Sequence, residues 1–351
     1  MAEITTIEIK DYLSQIQGKE ITLSDLRKEF NILPGTKSFD AIRNIMFQLA
    51  EQRIVRPTGR RNGAYKVITQ ILPVPIFSVQ RERRPPFELI FPRNYETMME
   101  MDFANDVVIR EGDLILISGV SNYGKTTLAM NFCGENIDKH PVLMGNEYTN
   151  PECEPLPRFL NRLDAMDLNK DGGWVNWVDV DGNDKFTLLP VRDDFAEHIV
   201  KDKINIIDWI NIETGEHYMI GMVLDGIKRN NGRGVSIAVI QKAEGATAGR
   251  GGQFTKDFAD LELLIDKLGK NEILLTIGKC KEYTKPVIGK TYGYSIFKGV
   301  KIMNFREVKK CGRCHATGYI KGAECDTCQG SKYIDCGGSG YVSKKPLQEE
   351  L

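Results

Sequence analysis

The sequence predicts a mixed α/β protein with a mostly parallel central sheet, a small helical unit before it and a cysteine-rich module after it. Three observations predict this. Between about residues 88 and 308, apolar β-type runs alternate with helix-period segments. Residues 1–70 hold three helix-like stretches and then two short β-type runs. From residue 309 onward the composition switches to glycine, cysteine and lysine. The chain has 351 residues, enough for two or three domains with sizeable cores, and its 41% hydrophobic and 27% charged residues are globular values. The formal charge is -1, so any affinity for nucleic acid must come from local patches. No apolar run approaches the ~18 residues of a membrane span, and the opening MAEITTIEIK is acidic and amphipathic. Neither a leader nor a membrane anchor is expected.

In the first unit, Ile7, Tyr12, Leu13 and Ile16 outline an apolar helix face. Ser24 is the expected N-cap of a second helix, DLRKEF. A third helix is expected over 38–52, with Ile42, Ile45, Met46 and Leu49 in one stripe. IVRPTGRRNGAYKVI then reads as two β-runs around a Pro, Gly and Asn-Gly turn region. Three helices followed by a basic hairpin resemble a winged helix-turn-helix domain. That resemblance implies that the helix around Arg43 enters a major groove and that Arg60 and Arg61 rest on phosphates. A protein-contact role is the open alternative. Residues 71–87, with four prolines and Arg81, Arg83 and Arg84, read as a stiff, solvated linker.

The central region contains Gly119-Val120-Ser121-Asn122-Tyr123-Gly124-Lys125-Thr126, which fits G-x-x-x-x-G-K-[ST]. An apolar strand precedes it, and the helix former TLAMNF follows from Thr127. A phosphate chain needs converging backbone N–H groups, which glycine permits, and a helix N-terminus adds positive potential. Lys125 is expected on the β- and γ-phosphates of ATP and the Thr126 hydroxyl on Mg²⁺. Asp208 ends the apolar strand INII and is the candidate second Mg²⁺ anchor. Glu147 ends the strand of PVLMGNE and is the candidate for orienting the attacking water.

These pieces in this order resemble RecA-like ATPases, in particular the DnaB-type replicative helicase core, over about residues 88–305. The resemblance rests on GVSNYGKTT, MGNEYTNPE, IIDWI, AVIQ and KCKEYTK. It implies that Glu147 is catalytic, that Asp208 is the Walker-B carboxylate and that Gln241 senses the γ-phosphate. It implies that the glycine-rich stretch with Lys242, Arg250 and Lys256 lines a DNA channel. It also implies that Lys279 and Lys281 reach a neighbouring subunit's γ-phosphate. Their K-x-K spacing is closer to the RecA form, so ring and filament both stay open. Residues 164–184 depart from the helicase pattern as an insertion. Within it, Asp167-x-Asn169-x-Asp171-Gly172 imitates an EF-hand start but has Val178 where the closing Glu belongs, so a polar turn is expected.

Residues 309–345 carry Cys311-x-x-Cys314 and Cys325-x-x-Cys328. Four thiolates on two knuckles suit one tetrahedral Zn²⁺. CGRCHATG, CDTCQG and CGGSG resemble the cysteine repeats of DnaJ-type chaperones, the third keeping only Cys336. The module is basic, and nucleic acid and a partner protein are equally open as its contacts. Residues 346–351 are a tail. The first expectation is therefore an ATP-driven DNA motor or loader in replication or recombination. Single-stranded DNA is its partner, duplex DNA a second candidate, and further copies of the chain complete the sites. The resemblance implies the cytoplasm of a bacterium or phage-infected cell. A strand-binding recombination filament and a non-motor, ATP-gated DNA-binding regulator are the alternatives.

Overall fold

The computed structural model describes residues 4–69, 71, 73–77, 84–211, 219–244, 246–269 and 271–336. Arg81 and Arg83 of the expected linker, the Gly-rich run after Cys336 and the tail lie outside them. The chain divides into two units, Met1–Arg83 and Arg84–Leu351.

The first unit runs α1 (Thr6–Gln15), β1 (Glu20–Thr22), α2 (Leu23–Glu29), α3 (Lys37–Glu51), β2 (Val55–Pro57) and β3 (Ala64–Val67). Its antiparallel sheet has the order β1-β3-β2. The α3 stripe Ile42, Ile45, Met46 and Leu49 is buried as expected, together with Leu26, Val55 and Val67. Two expectations are corrected. The N-cap of α2 is Thr22, not Ser24. Asp25 lies three residues after Thr22, so the two close a capping box, with Thr22 N–H donating to Asp25 Oδ2 at 2.9 Å and Asp25 N–H to Thr22 Oγ1 at 3.1 Å. On α1 the buried pair is Ile9 and Leu13, one turn apart, and Ile7 is exposed.

The second unit opens with the hairpin β4 (Arg93–Asn94) and β5 (Met99–Glu100). There follow β6 (Leu114–Gly119), α4 (Lys125–Glu135), β7 (Val142–Met144), α5 (Pro157–Met166), β8 (Thr187–Leu189) and β9 (Ile204–Ile210). Next are α6 (Ile220–Asn230), β10 (Val235–Gln241), α7 (Gln253–Phe258), β11 (Leu261–Leu268), β12 (Glu272–Cys280), β13 (Thr291–Phe297) and β14 (Lys301–Lys310). The small strands β15 (Tyr319–Ile320), β16 (Ala323–Glu324) and β17 (Tyr333–Asp335) complete the described residues. One sheet has the order β17-β14-β13-β12-β11-β6-β10-β9-β7-β8. From β11 to β8 every pairing is parallel. From β11 to β17 every pairing is antiparallel. The central sheet is thus mostly parallel, as expected, but EILLTIG belongs to its antiparallel side.

Leu128 and Phe132 of α4 and Phe159 of α5 pack on one face; Ile220, Leu224 and Ile227 of α6 pack on the other. Such two-sided cover explains why β6 is buried at every position and apolar throughout its first four residues. One of the helix-period segments of the central region, DFAEHIVK, forms only a short 3₁₀ turn over Phe195–His198.

The insertion at 164–184 covers the C-terminal half of α4. Met166, Val175 and Trp177 are buried in the same core as α4. Trp174 Nε1 donates to Glu135 Oε1 at 3.0 Å, and Arg93 Nε lies 2.6 Å from Glu135 Oε2. Asp167 Oδ1 accepts from the N–H of Asn169 at 3.0 Å, closing the polar turn read from the sequence.

The boundary expected at 308/309 falls inside β14. That strand runs on to Lys310, and Cys311 N–H donates to Lys332 O at 2.9 Å. β17 then returns as the edge strand beside β14, so the cysteine segment is continuous with the central sheet.

Candidate nucleotide site and thiol cluster

A cavity of about 570 Å³ opens at the C-terminal edge of the parallel strands. It is lined by the loop from Ser121 to Thr127, by Glu147 and Tyr148 after β7, by Trp209 in β9 and by Gln241 at the end of β10. Parallel strands put all their C-terminal ends on one edge, so residues far apart in sequence meet there. Register brings Gln241 opposite Gly119. Gly124 caps α4 at φ 76°, and a Cβ there would stand 2.3 Å from Ile296 Cδ1 of β13. The loop is thus pressed against the antiparallel side of the sheet, and only glycine fits both the angle and the space. Gly119, Ser121, Asn122, Tyr123 and Gly124 therefore form one continuous turn into the start of α4. Thr127, expected to bind nucleotide with the rest of the loop, has its Oγ1 engaged, donating to Gly299 O at 2.8 Å.

Lys125 Nζ donates to Val120 O at 2.8 Å across the loop. Burial lowers its pKa, opposed by Asp208 and Glu147. Asp208 is buried, and its Oδ2 accepts from the Tyr148 hydroxyl at 2.6 Å. Among the described residues its buried Oδ1 has no hydrogen-bond partner. Burial raises the Asp208 pKa; the Tyr148 and Thr126 hydroxyls and Lys125 act the other way. A buried carboxylate oxygen without a partner, beside the Thr126 hydroxyl, is the donor set that a hydrated Mg²⁺ fits. Glu147 is exposed to the cavity, and Trp209 Nε1 donates to its Oε1 at 3.1 Å. Gln241 Nε2 donates to Ser121 Oγ at 3.1 Å, joining the end of β10 to the phosphate loop.

No protein-family model and no curated protein matches the chain. Among solved structures, one described as the RadB recombinase is similar at 17% sequence identity. The match covers 55% of this chain and 91% of that chain, with a TM-score of 0.40. A likeness of that degree leaves the function to be read from the chain's own residues.

The other expected residues lie elsewhere. Lys242 is a correction: its side chain is fully buried, and Nζ pairs with Asp266 Oδ1 at 2.5 Å. A buried, ion-paired lysine presents no charge to a passing polymer. Arg250 is exposed and Lys256 half-exposed. Lys279 and Lys281 stand at the opposite end of β12 from Glu272, which lines the cavity. Seven residues of strand separate Lys279 from Glu272 by about 23 Å, and Lys281 lies beyond it. Lys281 pairs with Asp260 at 2.6 Å, and Lys279 Nζ donates to the backbone oxygens of Lys256 and Asp257. Arg43 is exposed, 3.8 Å from Asp40, and Arg60 and Arg61 are exposed in the β2–β3 turn.

Sequence reading missed four positions in and around the cavity. Tyr148 had no motif to mark it. Gly145 has a reason visible only in space, because a Cβ there would stand 2.1 Å from Asp208 O. Arg158 and Arg162 of α5 line the cavity, and their spacing of four on a helix was the available signal.

The four cysteines Cys311, Cys314, Cys325 and Cys328 are buried, with their sulfurs all within 4.8 Å of one another. Cys311 Sγ lies 4.0 Å from Cys325 Sγ, and Cys314 Sγ lies 3.5 Å from Cys328 Sγ. Tetrahedral Zn–S bonds of about 2.3 Å require S···S edges of about 3.8 Å, so the thiols fit one Zn²⁺. Gly318 N–H donates to Cys314 Sγ at 3.3 Å, a bond that orients the sulfur and stabilises a thiolate there. No helix among the described residues is long and apolar enough to cross a membrane.

Proposed function

We propose that the chain is an ATP hydrolase of the RecA-like type that acts on DNA, as a helicase, translocase or loader in replication or recombination. The observation that carries this reading is the convergence of Lys125, Thr126, Glu147 and Gln241 on one cavity, with Asp208 of β9 buried directly behind it on the Tyr148 hydroxyl. Each meets a requirement of phosphoryl transfer. The backbone of residues 119–126 cradles the phosphates, and Lys125 supplies charge to their terminal oxygens. Mg²⁺, held by Thr126 and by Asp208 through water, would neutralise charge on the β- and γ-oxygens. Glu147, oriented by Trp209, positions a water in line with the γ-phosphorus and accepts its proton. Gln241, tied to Ser121, reports the γ-phosphate to the glycine-rich stretch that follows it.

In this reading Arg250 and Lys256 contact a polynucleotide by charge, and Arg43, Arg60 and Arg61 make a winged-helix contact with duplex phosphates. Lys279 and Lys281, distant from their own cavity, serve a neighbouring copy. The K-x-K spacing of that pair favours a second reading, a strand-binding filament. Unwinding of a forked duplex supports the motor, and pairing of homologous strands supports the filament.

The test is ATP turnover with and without single-stranded DNA. Wild-type turnover should rise with DNA. It should fall by about 10²–10³-fold in both Lys125→Ala and Glu147→Gln. Glu147→Gln should keep its affinity for ATP, and brisk turnover in that variant would remove Glu147 from its role.

A further inference from the structure

Arg158 and Arg162 have no part in the machinery described so far. They sit four apart on α5, so both project from one side of that helix. Between them Phe159 turns inward, its ring 4.6 Å from that of Tyr148, and fixes the helix against the loop that carries Glu147. Leu156 N–H donates to Tyr148 O at 2.8 Å at the start of the same helix. The two guanidiniums are thereby aimed into the cavity that Lys125 and Thr126 line.

Arg162 can be placed more closely. It is half-buried, and a Cβ on Gly299 would stand 3.7 Å from its Nε. Gly299 O is the acceptor for Thr127 Oγ1, so Arg162 lies over the first turn of α4. It also acts on the Tyr148 hydroxyl, which in turn holds Asp208. Arg162 is therefore beside the corner where Thr126 and Asp208 converge.

Neither arginine has a carboxylate partner among the described ion pairs. The other acid lining this part of the cavity, Glu272, is already bound by Arg306 at 2.9 Å and by Asn304 at 3.1 Å. A half-buried guanidinium without an anion is an incomplete site, and its planar donors match phosphate oxygens. Lys279 and Lys281, by contrast, cannot reach this cavity, and Lys281 already has Asp260.

We propose that Arg162, assisted by Arg158 one turn before it, binds the terminal phosphate of ATP within the same chain. The inference rests on the nucleotide reading above and deepens it. The chain carries its own charge-stabilising arginine, so this contribution to hydrolysis needs no neighbouring copy.

Two measurements on the full-length protein test it. The first is Mg²⁺-dependent binding of fluorescently labelled ATP and ADP to wild type, Arg162→Ala and Arg162→Lys. Arg162→Ala should lose about tenfold or more in affinity for ATP and much less for ADP, with partial recovery in Arg162→Lys. Equal losses for the two nucleotides, or none, overturn the assignment. The second mixes Lys125→Ala subunits with Arg162→Ala subunits. An arginine acting in its own chain leaves the mixture as inactive as its parts. Restored turnover overturns the proposal, because it places Arg162 in a neighbour's site. A wild-type chain that leaves labelled ATP free overturns the nucleotide reading itself, and this inference with it.

Discussion

The nucleotide cavity and the thiol cluster gather polar groups in opposite ways. The cavity collects Lys125, Glu147 and Gln241 from the ends of separate elements, with Asp208 held behind it by Tyr148, and β6, β9 and β10 beneath it are almost wholly buried. The cluster collects its thiols between positions 311 and 328, with Ile320 and Ile334 as its apolar neighbours among the described residues. In the first case a large core fixes the geometry and one carboxylate oxygen can stay unpaired. In the second the β14–β17 ladder anchors the two ends of the segment, and a bound ion would supply most of what offsets the cost of ordering the knuckles between them. A preorganised site and a ligand-organised site thus share one sheet, because β14 belongs to both.

Removing the metal should have the largest effect and should separate the two. A structural Zn²⁺ contributes on the order of 10 kcal/mol or more to the folding of such a segment. Chelation, or Cys311→Ser with Cys314→Ser, should lower bound zinc from one per chain to none and expose residues 311–336 to protease. ATP affinity should change by less than about twofold, since distant sites are near-additive. Loss of ATP binding on zinc removal would break the contrast. It would mean that the β13–β14 hairpin, whose Ile296 presses on Gly124, is held by the cluster rather than by the core.

Gly145→Ala should give a smaller effect confined to the cavity. The new methyl would stand 2.1 Å from Asp208 O and 3.1 Å from the Tyr148 ring. The ends of β7 and β9 must separate, at about 1–3 kcal/mol. Thermal unfolding should shift down and turnover should fall further than ATP affinity, because Asp208 moves with its strand. Zinc content should stay at one per chain. A variant with wild-type turnover would show that the Asp208 corner is not rigid.

The same contrast decides what was legible in the sequence. Local chemistry was: the phosphate loop, the two C-x-x-C knuckles and the α3 stripe each declare themselves within about twenty residues. Glu147, Asp208 and Gln241 could be named because a strand end is local even though its neighbours are not. Contacts between strands were not legible. The run LELLIDKL became β11 although Glu262, Asp266 and Lys267 interrupt its apolar pattern. Lys242 looked like part of a basic loop until Asp266, on another strand, was found beside it. Tyr148 and Gly145 owe their roles to Asp208, which is sixty residues away and adjacent only after the sheet forms. The stretch 167–172 read as a polar turn because Asp167, Asn169 and Asp171 recur at every second position without a closing Glu. Its tryptophans, which cover α4, do their work on Glu135 and the Leu163 carbonyl oxygen.

Glu135 offers the smallest and most specific test, since it ends α4 ten residues beyond Lys125 and is bound by Arg93 and Trp174 rather than by a residue of either site. Burial pushes its carboxyl up to about 7, and Arg93 and Trp174 oppose only part of that shift. An unfolded chain would release this proton near the ordinary glutamate value. Between about pH 4.5 and 7 the folded protein therefore holds a proton that the unfolded chain lacks. The stability this contributes is fully present below that window, falls as pH rises through it and is flat above. Glu135→Gln removes the titration and keeps an acceptor for Trp174. A plot of unfolding temperature against pH should be shallower in the variant across this window, by the equivalent of about one proton. Asp113, pushed by burial to about 6, should leave a residual slope at the acid end. Turnover and zinc content should match wild type. An unchanged slope would mean that Glu135 stays ionised against Arg93 throughout, so that an ion pair, rather than a protonated acid, clamps the insertion to α4.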